Sequence, residues 1–161
     1  MQVYIVRHAE AEPAGAEGDA GRRLTARGQL QARAAAAGLR ALDVQLDRLL
    51  TSPLRRAAET AALLAGELGG PAPEPRAVLD GRAPAGSILE EMAVLAAHAR
   101  VALVGHMPVL AELVALATAG AAPGLGTASV ALLEFAACPD RGAGTLCWVR
   151  SPDQLGTLTR G

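Results

Sequence analysis

The strongest constraint on this chain is a stretch at its start, Val3-Tyr4-Ile5-Val6-Arg7-His8-Ala9-Glu10. Val3 to Val6 is a β-branched and aromatic run of the kind that forms a buried strand. It breaks off at two basic residues. A basic pair at the C-terminal end of a first strand stands at the rim of an α/β sheet, where such sheets hold ligands. Arg7 carries a permanent charge on a planar fork that fits an anion. His8 changes protonation near neutral pH and can serve as nucleophile or as acid and base. The pair alone is also compatible with a solvated loop. A site can be read only if the rest of the chain brings further cations and a second imidazole to the same rim.

The 161 residues suffice for one domain with its own core, read as spanning 1–161. Apolar residues make up 51% but include one Phe, one Tyr and one Trp, so the core must be aliphatic and small helix faces must pack closely. The net charge of −1 leaves no basic field for nucleic acid. No apolar run approaches the ~18 residues of a membrane span. No basic segment followed by an apolar one opens the chain, which reads as cytoplasmic. Cys138 and Cys147 have no metal-ligand or CxxC spacing and read as free thiols, a hairpin disulfide being the alternative. So few aromatics leave little for an aromatic hot-spot interface, and a monomer is expected.

Along the chain, residues 9–21 form a small-residue, acidic loop. Thr25 is placed to cap a helix over Ala26 to Leu42, with Leu30, Ala34, Ala37 and Leu42 on one face. Asp47 to Thr51 reads as a second strand. Ser52-Pro53 reads as an N-cap followed by Pro at the first helical position, opening a helix to Leu68. That helix start follows a strand end and so faces the same rim as His8. Its N–H groups favour an anion. Arg55 and Arg56 lie in its first turn, about 100° apart, so only one can face the pocket squarely. Val78-Leu79 reads as a short strand, and Ser87 as the cap of a helix over Ile88 to Ala99. Glu90 and Glu91 suit that helix's first turn, and His98 suits its C-terminal end as an exposed partner of the dipole. Arg100 to Val104 is another buried strand, ending in Gly105-His106 before a helix from Pro108 to Ala119. A second strand-end His thus repeats the arrangement at His8. Thr127 to Phe135 and Gly144 to Arg150 read as a hairpin-like pair. The tail from Ser151 to Gly161 is weakly patterned.

Arg7, His8, one of Arg55 and Arg56, His106 and a helix N-terminus are therefore aimed at one rim. Cations converging on a point repel unless an anion joins them. A phosphoryl dianion meets that need, with arginine forks on its oxygens, one His attacking in line and the other donating to an oxygen. With the charge carried by arginines, no metal and no cofactor is called for.

The Arg7-His8 start, Leu24-Thr25-Ala26-Arg27-Gly28, Ser52-Pro53 with Arg56-Ala57 and Thr60, and Gly105-His106 resemble the histidine phosphatase (phosphoglycerate mutase-like) superfamily, in that family's order. His106-Met107-Pro108, Thr127-Ala128-Ser129 and Gly144-Thr145-Leu146-Cys147-Trp148 resemble its small SixA-type phosphohistidine phosphatases. The resemblance implies a three-layer α/β sandwich: a mostly parallel central sheet, helices on both faces, and an antiparallel strand near the C-terminus. It implies a covalent phosphohistidine on His8, with Arg7, Arg56 and His106 holding the phosphoryl group. Arg56 is selected because the family's arginine precedes Ala; Arg55 is then left outward or at the substrate rim.

Two positions depart from the family pattern. Ala9 stands where the family usually has Gly, which matters if the position needs a positive φ. Larger relatives also carry an acid that protonates an alcohol leaving group. Asp80 is the candidate here, and Glu10 and Glu12 lack family support. A weak acid suits phosphohistidine, whose imidazole leaves readily from a P–N bond. The reading is thus a phosphatase for a phosphohistidine-bearing protein such as a phosphotransfer domain. The alternatives are a phosphomonoesterase or mutase for a small phosphate ester, and a non-catalytic phosphate-binding module.

Overall fold

The computed structural model describes residues 1–159; the last two residues of the 1–161 span lie outside them. The six strands are β1 (Gln2–Arg7), β2 (Arg48–Thr51), β3 (Glu74–Pro75), β4 (Arg100–Gly105), β5 (Val130–Phe135) and β6 (Gly144–Arg150). They make one sheet in the order β3-β2-β4-β1-β5-β6. The first four are parallel neighbours, β5 runs antiparallel to β1, and β6 antiparallel to β5. The expected mostly parallel sheet with an antiparallel strand near the C-terminus is what forms.

The helices are α1 (Ala26–Ala41), α2 (Arg55–Leu68), α3 (Ala85–Val94), α4 (Val109–Thr118) and α5 (Pro152–Thr157). Alternation along each central strand feeds two cores. Val3 and Ile5 of β1, Val101 and Leu103 of β4, and Ala131 and Leu133 of β5 face a core completed by Ile88 and Met92 of α3 and Leu110 and Leu113 of α4. Tyr4, Val6, Ala102, Val104, Val130 and Leu132 face the opposite core, completed by Leu39 of α1, Leu64 of α2 and Leu155 of α5. Strands covered on both faces read as continuous apolar runs, which is why β1 and β4 stood out in the sequence.

Several elements differ from the sequence reading. Thr25 caps α1 as expected, its hydroxyl accepting the Gly28 N–H. The buried face of α1, however, is Gly28, Ala32, Ala35, Ala36, Gly38 and Leu39, while Leu30 and Leu42 are exposed. Packing at close range selects small side chains over large ones: a Cβ on Gly38 would collide with Leu155. The helix α2 begins at Arg55 with Leu54 as its N-cap, two residues later than expected, and Ser52 Oγ accepts the Leu54 N–H ahead of the first turn. Val78 and Leu79 lie in a 3₁₀ turn, and the extra strand is instead Glu74–Pro75 at the sheet edge. Pro is tolerated there because an edge strand can lack a donor.

The helix α3 starts at Ala85 and places Ser87 inside it rather than at its cap. It ends at Val94, before His98, which approaches Arg48 Nη1 at 3.3 Å instead of capping the helix. Glu91 pairs with Arg76 at 2.8 Å. The tail holds α5, started by a capping box in which Ser151 and Gln154 exchange hydrogen bonds. That Ser-x-x-Gln signature is present in the sequence and identifies the helix start. Cys138 and Cys147 are both free thiols. Among the described residues no helix is long and apolar enough to cross a membrane.

Candidate active site

The site follows from strand register. Arg7 of β1 is opposite Gly105 of β4, and Thr51 of β2 is opposite Val104. The next residues, His8, His106 and Ser52, therefore leave three neighbouring parallel strands at their C-terminal ends. The His8 N–H donates to Gly105 O at 3.0 Å and the Ser52 N–H to Val104 O at 2.9 Å, extending both ladders into the loops. The two imidazoles stand with ring centroids 5.0 Å apart.

The proton on His8 is placed by its neighbour. Nδ1 lies 2.8 Å from Ala9 O, and a carbonyl can only accept, so Nδ1 carries the hydrogen. Nε2 is then a lone pair, and it accepts from Arg56 Nε at 3.3 Å. The Ala9 N–H is itself held by Thr60 Oγ1 at 3.1 Å, and Thr60 donates to Arg56 O at 2.7 Å. Arg56 and Thr60 share one face of α2 a turn apart, so one helix face sets both the His8 backbone and the cation beside its ring.

Ala9 is fully buried against Leu24, Ala32 and Ala128. It is absent from the non-glycine residues with positive φ, which are Asp43, Ala119 and Ala128. A methyl group is therefore accommodated here without backbone strain. Gly28 is the position where a side chain is excluded, since a Cβ would run into the Glu10 carbonyl.

The Nε2 of His106 lies 2.7 Å from Ser52 Oγ. That oxygen also accepts the Leu54 N–H at 3.1 Å, so one hydroxyl joins His106 to the start of α2. The Nδ1 atom is buried with no partner, as is Arg7 Nε. Arg7 Nη1 donates to Leu125 O at 2.8 Å. A buried donor without an acceptor costs roughly 1–3 kcal/mol, and Arg7 Nε is such a donor in a cluster of cationic groups that an anion would satisfy.

Burial is the main reason that His8 is pushed down to about 4, with the charges of Arg56, Arg7 and Arg22 adding to it. His106 is likewise pushed down to about 4 by burial, then by His8 and Arg56. Both rings are neutral at neutral pH. The folded state resists their protonation, so the stability they contribute is full above about pH 6.5 and is lost as pH falls from there toward 4. NMR titration of the imidazole nitrogens is expected to find neither ring charged at pH 5.5, with the His8 proton on Nδ1. A titration near the free-histidine value would contradict this environment.

The structure brings Arg7, His8, Arg56 and His106 together. Arg55 lies outside the group, paired with Glu59 at 2.8 Å and Glu17 at 3.7 Å. Asp80 accepts the Arg82 N–H at 2.8 Å and precedes Gly81, which packs over the His106 ring. Glu10 is turned away to Thr25 and Arg27, and Glu12 is exposed. The sequence carries no signal for Asp19, which pairs with Arg56 at 3.1 Å, or for the contact of Ser52 with His106. Among the described residues, no group of three or more His, Cys, Asp or Glu is placed to hold a metal ion.

Comparison with known proteins supplies the family. Residues 3–83 match the model of the histidine phosphatase superfamily, branch 1. Phosphohistidine phosphatase SixA of Escherichia coli (strain K12) is 32% identical over 160 residues, 96% of each chain. The chain belongs to the histidine phosphatase superfamily. Within that superfamily it is SixA-type: the structure of the protein histidine phosphatase SixA complexed with tungstate superposes with a TM-score of 0.89 at 30% identity, covering 96% of this chain and 99% of the other. The alpha-ribazole phosphatase from Shigella flexneri shares the histidine phosphatase fold, with a TM-score of 0.75 at 19% identity over 94% of this chain and 97% of the other. This histidine phosphatase is accordingly a phosphatase of the hydrolase class, and the two strand-end imidazoles with Arg7 and Arg56 are its candidate centre.

Proposed function

We propose that the enzyme hydrolyses phosphohistidine on a protein, through a phosphohistidine formed on His8. In the first step the His8 Nε2 lone pair attacks phosphorus, the P–N bond to the substrate imidazole breaks, and that imidazole leaves with a proton from solvent. In the second, water attacks the phosphorus, releasing inorganic phosphate and His8. Arg7, Arg56 and His106 hold the phosphoryl oxygens throughout and donate most strongly as charge builds. The arginines carry the charge a metal would otherwise carry, so the reaction is metal-independent.

The observation that carries the substrate assignment is that the candidate acid is engaged elsewhere: Asp80 Oδ1 accepts the Arg82 N–H at 2.8 Å, and the imidazoles' own partners are Ala9 O, Arg56 Nε and Ser52 Oγ. A P–N substrate needs little proton donation, whereas an alcohol leaving group depends on it. The similarity to a phosphohistidine phosphatase supports the same reading. The partner we infer is a phosphotransfer domain of a two-component relay, met in the cytoplasm by a monomeric enzyme.

The test is single-turnover hydrolysis of a phosphohistidine-bearing protein beside an alkyl phosphate ester such as glycerol phosphate, in EDTA, for wild type and Asp80→Asn. Wild type is expected to clear phosphohistidine at least about 100-fold faster than the ester, the scale of a missing general acid. Asp80→Asn is expected to leave the phosphohistidine rate unchanged. Preferential cleavage of small esters, dependent on Asp80, would move the enzyme to the phosphomonoesterase or mutase reading. Tight phosphate binding without turnover would make it a phosphate-binding module.

A further inference from the structure

We propose that Asp19, in the loop between β1 and α1, is a positioning residue: it holds the Arg56 guanidinium from behind and ties Arg22 to the same rim, so that Arg56 presents its remaining edge to the phosphoryl group beside His8. The inference rests on the phosphatase reading of the pocket.

A guanidinium offers two edges that each carry a pair of donors. Asp19 takes the Nη1–Nη2 edge, its carbonyl accepting from Nη1 at 2.8 Å and its Oδ2 from Nη2 at 3.1 Å. The Nε–Nη2 edge is the one that faces His8, with Nε on the imidazole lone pair at 3.3 Å. Asp19 thus does not occupy the place of an incoming phosphoryl group. It fixes the plane of the fork that receives it. Its other oxygen, Oδ1, accepts from Arg22 Nη1 at 3.1 Å. One carboxylate therefore relieves the repulsion between two guanidinium groups and keeps both near the site.

The loop is built to hold Asp19 there. The Ala20 carbonyl accepts the Arg55 N–H at 3.2 Å, seating the loop on the first turn of α2. Arg22 Nε donates to Glu12 O at 2.6 Å, closing the loop on itself. Hydrogen bonds from Arg22 and then Arg56 hold the Asp19 carboxyl below its ordinary range. It stays ionised at working pH and does not serve as proton donor to a leaving group. Holding a reacting group in its productive orientation is worth on the order of 100-fold when lost by a small displacement.

The experiment compares wild type, Asp19→Asn and Asp19→Ala, each also in an Arg56→Lys background, by single-turnover phosphoenzyme formation and by calorimetric affinity for inorganic phosphate. Asp19→Asn is expected to slow phosphoenzyme formation by roughly 10- to 100-fold with a smaller loss of phosphate affinity. In the Arg56→Lys background, where no fork remains to be oriented, the same change is expected to cost less than about 2-fold, a coupling read as a double-mutant cycle. An equal loss in both backgrounds would make Asp19 a structural part of the loop and overturn the proposal. Tighter phosphate binding and faster turnover in Asp19→Asn would overturn it the other way, making the carboxylate a competitor of the substrate. If wild type forms no phosphoenzyme, the phosphatase reading fails by itself, and the phosphate affinities of the six proteins still report whether Asp19 acts through Arg56.

Discussion

Replacing His8 by Ala is expected to abolish turnover and the phosphoenzyme together. The imidazole is held at Nδ1 by a carbonyl 2.8 Å away and at Nε2 by Arg56, and in the proposed mechanism neither neighbour can supply the lone pair that His8 offers. His106 is no substitute, because its Nε2 is committed to Ser52. Loss of the nucleophile in covalent catalysis acts on the scale of 10⁴-fold or more, roughly independent of the binding groups that remain. Rapid-quench detection of labelled enzyme, with mass mapping of the site, checks both halves. Retained turnover, or label on another residue, would remove His8 from the role. Affinity for inorganic phosphate should survive the change, because the arginines stay in place and the ring that neighboured them is gone. A His8→Ala protein that binds phosphate and does not turn over is the result that assigns nucleophile and anion pocket to separate residues.

The second large effect is expected at Arg56. Its side chain is 8% exposed and donates to His8, the Asp19 carbonyl and the Asp19 carboxylate at once. Arg56→Ala removes a charge and two or more donors that strengthen as the phosphoryl group transfers, at about 10²- to 10³-fold in kcat per donor. Lys in its place supplies a point charge without a fork, and is expected to recover no more than about 10-fold of the loss. Both variants carry a second signature. The Arg56 charge is one of the causes that depress His8, so the His8 titration should move upward in Arg56→Ala and stay low in Arg56→Lys. Rates near wild type in Arg56→Ala would show that Arg7 and His106 suffice to hold the phosphoryl group.

Legibility in the sequence tracked how local each cause was. Val3 to Val6 and Val101 to Val104 were readable because a strand covered on both faces must be a continuous apolar run. Thr25 was readable as a cap because the N–H it accepts, on Gly28, lies three residues on. The buried face of α1 is not legible from apolar spacing because it is set by its neighbours: Gly38 lies against Leu155 of α5, where a side chain would collide, while Leu30 is exposed. Ser52 carries the residue type of a cap and accepts the Leu54 N–H, yet the same oxygen also meets His106, just past the end of the adjacent strand. Asp19 sits among small residues with no periodicity, and nothing in its neighbourhood points to α2.

By itself the sequence determined the chemical groups and their local stations: Arg7 and His8 at one strand end, Gly105 and His106 at another, and Arg56 in the first turn of a helix after a third. Only the tertiary structure decided that these stations meet. The order β2-β4-β1 places the three strand ends side by side, and the register of Arg7 against Gly105 brings the two imidazoles within 5.0 Å. Register is set by pairing between segments far apart in the chain, which leaves no mark on either segment alone. The contact of Arg56 with the His8 ring, the meeting of Ser52 with His106 and the grip of Asp19 all depend on atoms contributed by other elements. They exist only once the sheet has closed.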